Sequence, residues 1–295
     1  MPSSEKSLEG RRVLITGAAR GIGALIARRL SERGARVALV GLEPELLAEV
    51  AVGCGEGPWY ECDVTNRDEV DAAVSAAVEA LGGLDVVLAN AGVAAQMPLV
   101  GGDARVFDAT MAVNVTGTYN VIRAAGPHIS HERGYVLVTS SLAAAVHLPL
   151  MSAYCASKAA VAALGHSLRH ELLHTGARVG IAYYAELDTD MTSRGFSTKA
   201  ASRMPLGGHG HLPVAPVGPA IDALERAIRR RSRRVVSPRW VGLALHLSGP
   251  IIRVLALQTR SKLEKTLEIA REEEVELTTP QPGVRSAEDR TPAAG

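Results

Sequence analysis

The chain has 295 residues, 47% of them hydrophobic, with a net charge of +1. That is enough apolar material for one substantial core, and the near-neutral balance gives no reason to expect nucleic acid as a partner. Cys54, Cys62 and Cys155 make neither a metal-ligand spacing nor an even disulfide set, so no metal is expected and a reduced, cytoplasmic setting is. The first ten residues are polar and no run of about 18 uninterrupted apolar residues occurs, so neither a signal peptide nor a spanning helix is expected.

In chain order, apolar runs expected as strands fall at Arg12–Thr16, Arg36–Val40, Trp59–Cys62, Leu84–Ala89, Tyr135–Ser140, Arg178–Tyr184 and Arg233–Val236. Most are continuously apolar rather than alternating, as strands covered on both faces are. Helical patterns separate them, at Ile22–Glu32, Arg67–Leu81, Arg105–Ala125, Ser152–Leu173 and Gly218–Arg230. This rhythm predicts an α/β fold: a three-layer, doubly wound Rossmann architecture with a mainly parallel seven-stranded sheet over residues 8–238. Residues 187–216, rich towards their end in Gly, Pro, Ser and His, are expected to form a lid. Residues 239–276 form a helical extension, apolar over Trp240–Leu257 and charged over Ser261–Glu276. Residues 277–295 read as a disordered tail.

The first strand runs directly into TGAARGIG, Thr16–Gly23, and then a helix. Gly17 permits a tight turn, Gly21 lets backbone approach a pyrophosphate, and Gly23 allows close helix–strand packing. Arg20 and Ile22 lie in the same turn, and the helix N-terminus offers amide donors to phosphate. Further on, YCASK puts Tyr154 and Lys158 four residues apart, on one face of a helix. An ammonium beside a phenol favours the phenolate and draws its pKa towards the working range. Ser141 stands thirteen residues before Tyr154, at the carboxyl end of an apolar strand where open α/β sheets bind ligands. Ser140 is its neighbour and the weaker candidate.

With TGAARGIG, Asp63-Val64, Asn90-Ala91-Gly92, Asn114, Ser141, Tyr154 and Lys158 in this order, the sequence resembles the short-chain dehydrogenase/reductase family over roughly residues 8–240. The resemblance implies a nicotinamide-dependent oxidoreductase that interconverts a secondary alcohol and a ketone or aldehyde. It makes Tyr154 the acid/base and Lys158 its partner, gives Ser141 the substrate oxygen, and sets Asn114 in a water-mediated proton relay. It assigns Asp63-Val64 to the adenine, Asn90-Ala91-Gly92 to the wall of the cofactor site, Thr189 to the carboxamide or phosphates of the cofactor, and Leu187 to cofactor binding. The usual Pro-Gly before this last segment is replaced by Tyr184-Ala185.

The position that ends strand two, where an acidic residue would bind ribose hydroxyls, is Gly41, followed by Leu42. Glu43 stands close behind and Arg20 is the counter-argument for a 2′-phosphate; the balance favours NAD over NADP. Leu148, Pro149, Leu150 and Met151 precede Tyr154 and point to an apolar alcohol or carbonyl as substrate: a steroid, a lipid or a xenobiotic. A dehydratase or epimerase on the same scaffold, and a cofactor-binding regulatory protein without turnover, are the competing readings. A homodimer or homotetramer is expected. Trp240–Leu257 is expected to cap the domain or form a subunit interface, with weak peripheral membrane contact through 239–257 as the alternative.

Overall fold

The computed structural model describes residues 7–195, 198–204 and 214–281. The apolar runs become β1 (Arg12–Thr16), β2 (Arg36–Gly41), β3 (Trp59–Glu61), β4 (Val86–Ala89), β5 (Tyr135–Thr139), β6 (Arg178–Tyr184) and β7 (Arg234–Ser237). They form one sheet in the order β3-β2-β1-β4-β5-β6-β7, and every pairing is parallel. Between them run α1 (Gly21–Glu32), α2 (Pro44–Val52), α3 (Arg67–Leu81), α4 (Ala104–Met111), α5 (Thr118–Ile129), α6 (Ser152–Glu171), α7 (Asp190–Gly195), α8 (Lys199–Ser202) and α9 (Gly218–Arg230). After β7 come α10 (Val241–His246) and α11 (Ser248–Glu272).

Alternate strand residues feed two apolar layers. Val13, Ile15, Leu39 and Leu88 pack with Ile26, Leu30, Leu47 and Leu224 on one face. Leu14, Ala38, Val40 and Val87 pack with Val70, Val74, Val121 and Val161 on the other. Burying each such side chain is worth about 1.5–3 kcal/mol, which is why the strands carry so few polar residues. The chain leaves β1 for β2 on one side and returns to β4 on the other, so a crevice opens past the carboxyl ends of β1 and β4.

Four differences from the sequence reading have physical causes. Helix α2, for which the sequence reading names no range, begins at Pro44 and buries Leu47, Val50 and Ala51 as its stripe. The helix expected over 105–125 is two helices joined by a π turn, Ala112–Gly117, and it runs on to Ile129. The apolar stretch is split at Leu247 between α10 and α11, and α11 then runs on without a break through the charged half; Pro250 lies in its first turn, where a missing N–H costs little. Of the tail read as starting at Leu277, residues through Gln281 are described, and Thr278 bonds Ala94: its amide donates to the Ala94 carbonyl at 3.1 Å and its Oγ1 accepts from the Ala94 amide at 3.0 Å. Residues 282–295, and residues 196–197 and 205–213 of the expected lid, lie outside the described residues. Among the described residues, no helix is long and apolar enough to cross a membrane.

Candidate active site

The turn after β1 is shaped by glycine. Gly17 and Gly21 have φ of +64° and +54°, a region side chains rarely adopt. A Cβ on Gly17 would come 2.8 Å from the Ala91 Cα, and one on Gly23 would come 2.0 Å from the Gly17 carbonyl oxygen. The turn therefore lies tight against the end of β4 on one side and against its own helix on the other. Gly17, Arg20, Gly21 and Ile22 line a cavity of about 310 Å³; Gly23 stands behind it as packing. Asn90 fixes the floor. Its amide and that of Ala91 donate to the Thr16 hydroxyl at 3.1 and 3.2 Å, and Thr139 Oγ1 donates to its Oδ1 at 3.2 Å. Ala91 and Gly92 continue the wall.

The end of β2 meets this turn through an ion pair. Arg20 Nε donates to Glu43 Oε2 at 2.7 Å, its Nη2 also engages Glu43, and its Nη1 lies 3.5 Å from Asp190. Glu43 and Arg20 both border the cavity, so the acid and the base weighed for cofactor choice hold each other. Val64 lines the cavity, whereas Asp63 turns back on its own loop: its Oδ1 accepts from the Thr65 amide at 2.8 Å. Leu187 and Thr189 reach the wall through a segment anchored by a parallel bridge between Leu187 and Ala215.

The candidate catalytic residues converge on the same cavity. Ser141 follows β5; its hydroxyl accepts from the Ala143 amide at 3.2 Å and donates to the Tyr184 carbonyl at 3.3 Å. Ser140 also borders the cavity, but its Oγ donates to the Lys158 carbonyl at 2.8 Å, which assigns it to anchoring α6. Tyr154 is buried and its hydroxyl engages Ser141. Burial pushes the phenol up to about 12, while the Ser141 hydrogen bond opposes that rise. The lowered pKa expected from Lys158 is therefore not what the isolated chain gives: withdrawing a phenolate from water outweighs its partners. Lys158 Nζ lies 5.5 Å over the Tyr154 ring and donates to the Thr139 carbonyl at 3.0 Å. Burial lowers its ammonium to about 8.

Asn114 lies in the π turn and is fully buried. It accepts from the Val93 amide at 2.8 Å and donates at 2.9 Å to both the Val93 carbonyl and Ser157 Oγ. Ser157 donates in turn to the Tyr154 carbonyl at 2.8 Å, so the π turn, the loop after β4 and α6 are tied together under the tyrosine. A Cβ on Gly92 would stand 3.1 Å from Asn114 Oδ1 and 3.2 Å from Lys158 Nζ, which locates both polar groups against that glycine.

Tyr184, standing where the family has proline, ends β6 and lines the cavity, while Ala185 keeps sheet contact by donating to the Ser237 carbonyl at 3.0 Å. Tyr183 faces the opposite apolar layer. Sequence reasoning missed Thr16 and Thr139, which brace the floor; both are strand-end hydroxyls, a signal present but not exploited. It also missed Gln96, Leu255, Thr259, Thr278 and Gln281 in the cavity wall. Nothing in the chain order brings Thr278 to Ala94 across 184 positions.

The geometry fits a dinucleotide: a positive-φ glycine turn at a helix N-terminus for the phosphates, and a carboxylate at the end of β2 for a ribose. The chain is similar to known proteins in the same terms. The sequence pattern described as short chain dehydrogenase matches residues 11–200. The chain is 40% identical over 196 residues to short-chain dehydrogenase reductase 5 of Arabidopsis thaliana, covering 64% of this chain and 75% of that one. It is 36% identical over 177 residues to D-threitol dehydrogenase of Mycolicibacterium smegmatis, covering 58% and 68%. A solved structure of a short chain dehydrogenase/reductase from Burkholderia phymatum in complex with NAD shares the fold. Its TM-score is 0.73 at 24% identity, and the match covers 84% of this chain and 96% of that one.

Proposed function

We propose that this chain, which belongs to the short-chain dehydrogenase/reductase family and is an oxidoreductase, interconverts an apolar secondary alcohol and its ketone or aldehyde with NAD. The observation that carries the reading is the meeting of Ser141, Tyr154 and Lys158 in the same cavity as the glycine turn. When bound, the nicotinamide supplies or accepts a hydride at the substrate carbon. Gly17–Gly23 and the N-terminus of α1 hold the phosphates, Glu43 takes the ribose hydroxyls, and Val64 and Asn90–Gly92 wall the site. Ser141 donates to the substrate oxygen and stabilises charge developing there. Tyr154 gives or takes the proton at that oxygen.

A free phenol held up at about 12 is a reluctant proton donor. The Lys158 charge acts against that and draws the phenol towards working pH, while Ser141, with a single hydroxyl proton, gives it to the substrate oxygen in place of the Tyr184 carbonyl. Lys158, with an ammonium near 8, is itself able to exchange protons near neutral pH. Asn114 joins that exchange through water. Cytoplasmic location and a homodimeric or homotetrameric assembly complete the reading; light scattering on the purified protein tests the latter.

The test is a screen of secondary alcohols and carbonyls that follows nicotinamide absorbance with both NAD and NADP. Turnover of apolar members with NAD is the expected result. Binding of dinucleotide with no turnover of any member would instead support a regulatory, non-redox role.

A further inference from the structure

The wall of the cavity beyond the catalytic residues is built by the far end of the chain. Leu255 and Thr259 of α11, and Thr278, Thr279 and Gln281 after it, all line the cavity. None of these residues falls within 11–200, the part matching the family pattern. The segment Glu273–Gln281 is held at both ends. The Glu273 carboxylate accepts from the Lys199 and Ala200 amides at 2.6 and 3.0 Å and so caps α8. Thr278 is clamped to Ala94, which packs with Met151, Tyr154 and Cys155. Between the two clamps, Val275 and Leu277 pack on Met97 and Ala153. The strap thus ties the α8 region to the loop that carries Gly92, and its last residues form part of the cavity surface.

The chemistry of this wall is specific. Leu148, Leu150, Met151, Met204 and Leu255 are apolar, while α11 and the strap add Thr259, whose hydroxyl donates to the Ala256 carbonyl at 3.3 Å, Thr279, and Gln281, whose Nε2 donates to the Thr279 and Pro280 carbonyls at 3.0 and 3.2 Å. The charged residues that border the cavity lie on the glycine turn, at the end of β2, in α6 and in the 186–190 segment. Among the described residues, the strap side offers no counter-charge to a buried ionic group on the substrate, at a cost of several kcal/mol.

Building on the redox reading, the geometry points to Thr278–Gln281 as a specificity-determining segment that selects uncharged alcohols and ketones with an extended apolar body. A shortened strap leaves that body in water, while a small ketone needs only Ser141 and Tyr154.

The test uses a chain ending at Leu277, which keeps the Glu273 cap, and a full-length Thr279→Val/Gln281→Leu double variant. Each is compared with the wild type on 2-alkanones from butanone to undecanone, with calorimetric titration of 2-undecanone onto the dinucleotide complex. For the truncated chain, 2-undecanone binding and kcat/KM fall about tenfold, about 1.4 kcal/mol, while butanone turnover and dinucleotide affinity stay within about twofold. The double variant changes the undecanone-to-butanone ratio at least threefold, and it carries the test if the truncated chain does not fold. An unchanged ratio in folded variants overturns the strap's role, as does a wild type that neither binds nor turns over 2-undecanone. Strap-dependent binding of 2-undecanone without turnover by the wild type supports the strap and overturns the redox reading alone.

Discussion

Replacing Lys158 with Met keeps the length of the side chain and removes its charge, and it is expected to stabilise the dinucleotide-free protein while destroying its activity. Burial lowers the ammonium from 10.5 to about 8. At about 1.36 kcal/mol per pKa unit, holding that charge inside the fold costs about 3 kcal/mol. The folded value lies below the unfolded one, so between pH 8 and 10.5 the unfolded chain binds more protons and stability rises with pH. Below pH 8 the full cost is present; at pH 10 it has fallen to about 1 kcal/mol. The variant forfeits the hydrogen bond to the Thr139 carbonyl, worth about 1 kcal/mol. The net expectation at pH 7 is a gain of about 2 kcal/mol, or about 4 °C in Tm, shrinking to about zero at pH 10. Urea denaturation of both proteins at the two pH values measures it. A variant less stable at pH 7, or a gap that does not change with pH, refutes the view that the site keeps a strained ammonium for its function.

The two serines separate cleanly. Ser141→Ala lowers kcat by about 10²-fold or more and loses the bonds to Ala143 and Tyr184, whereas Ser140→Ala costs about 1 kcal/mol of stability through its bond to the Lys158 carbonyl and leaves kcat within about threefold; steady-state kinetics distinguish them. Glu43→Gln weakens the hold on Arg20 and raises the NADP-to-NAD preference at least about tenfold, about 1.4 kcal/mol; an unchanged ratio removes Glu43 from cofactor choice. Leu243, Leu247, Val254 and Leu257 are exposed apolar residues along α10, the link after it and α11, with Leu257 73% exposed and Arg253 and Arg260 near it in the same helix. Co-sedimentation with anionic phosphatidylserine vesicles tests the membrane alternative to a domain cap or subunit interface: pelleting of the wild type that is lost in Leu247→Glu/Leu257→Glu supports it, and equal pelleting of the two ends it.

The parallel sheet was legible because its strands are continuously apolar, and that pattern has one structural solution when helices alternate with strands. The glycine turn and the Tyr154–Lys158 face were legible for a related reason: both are local, set by spacings of a few residues. What stayed hidden is long-range or arises only on packing. The π turn at Asn114 exists to aim one side chain at Val93 and Ser157, and its sequence still has an ordinary helical period. Charge signs identified Arg20 and Glu43 separately, but only the fold shows them bound to each other. Composition after 276 carries no sign of the two hydrogen bonds between Thr278 and Ala94, which set Thr278 at the cavity. The pKa of Tyr154 was misjudged because spacing reports its neighbour Lys158 and not the water it loses.

The central claim is that Tyr154 moves the proton at the substrate oxygen. Tyr154→Phe removes one hydroxyl from a buried ring and leaves the glycine turn, Glu43 and Asn90 untouched. Turnover of the best substrate from the alcohol and carbonyl screen is expected to fall by about 10³-fold or more, with dinucleotide Kd by titration calorimetry within about twofold of the wild type. A Tyr154→Phe protein that keeps full activity contradicts the account.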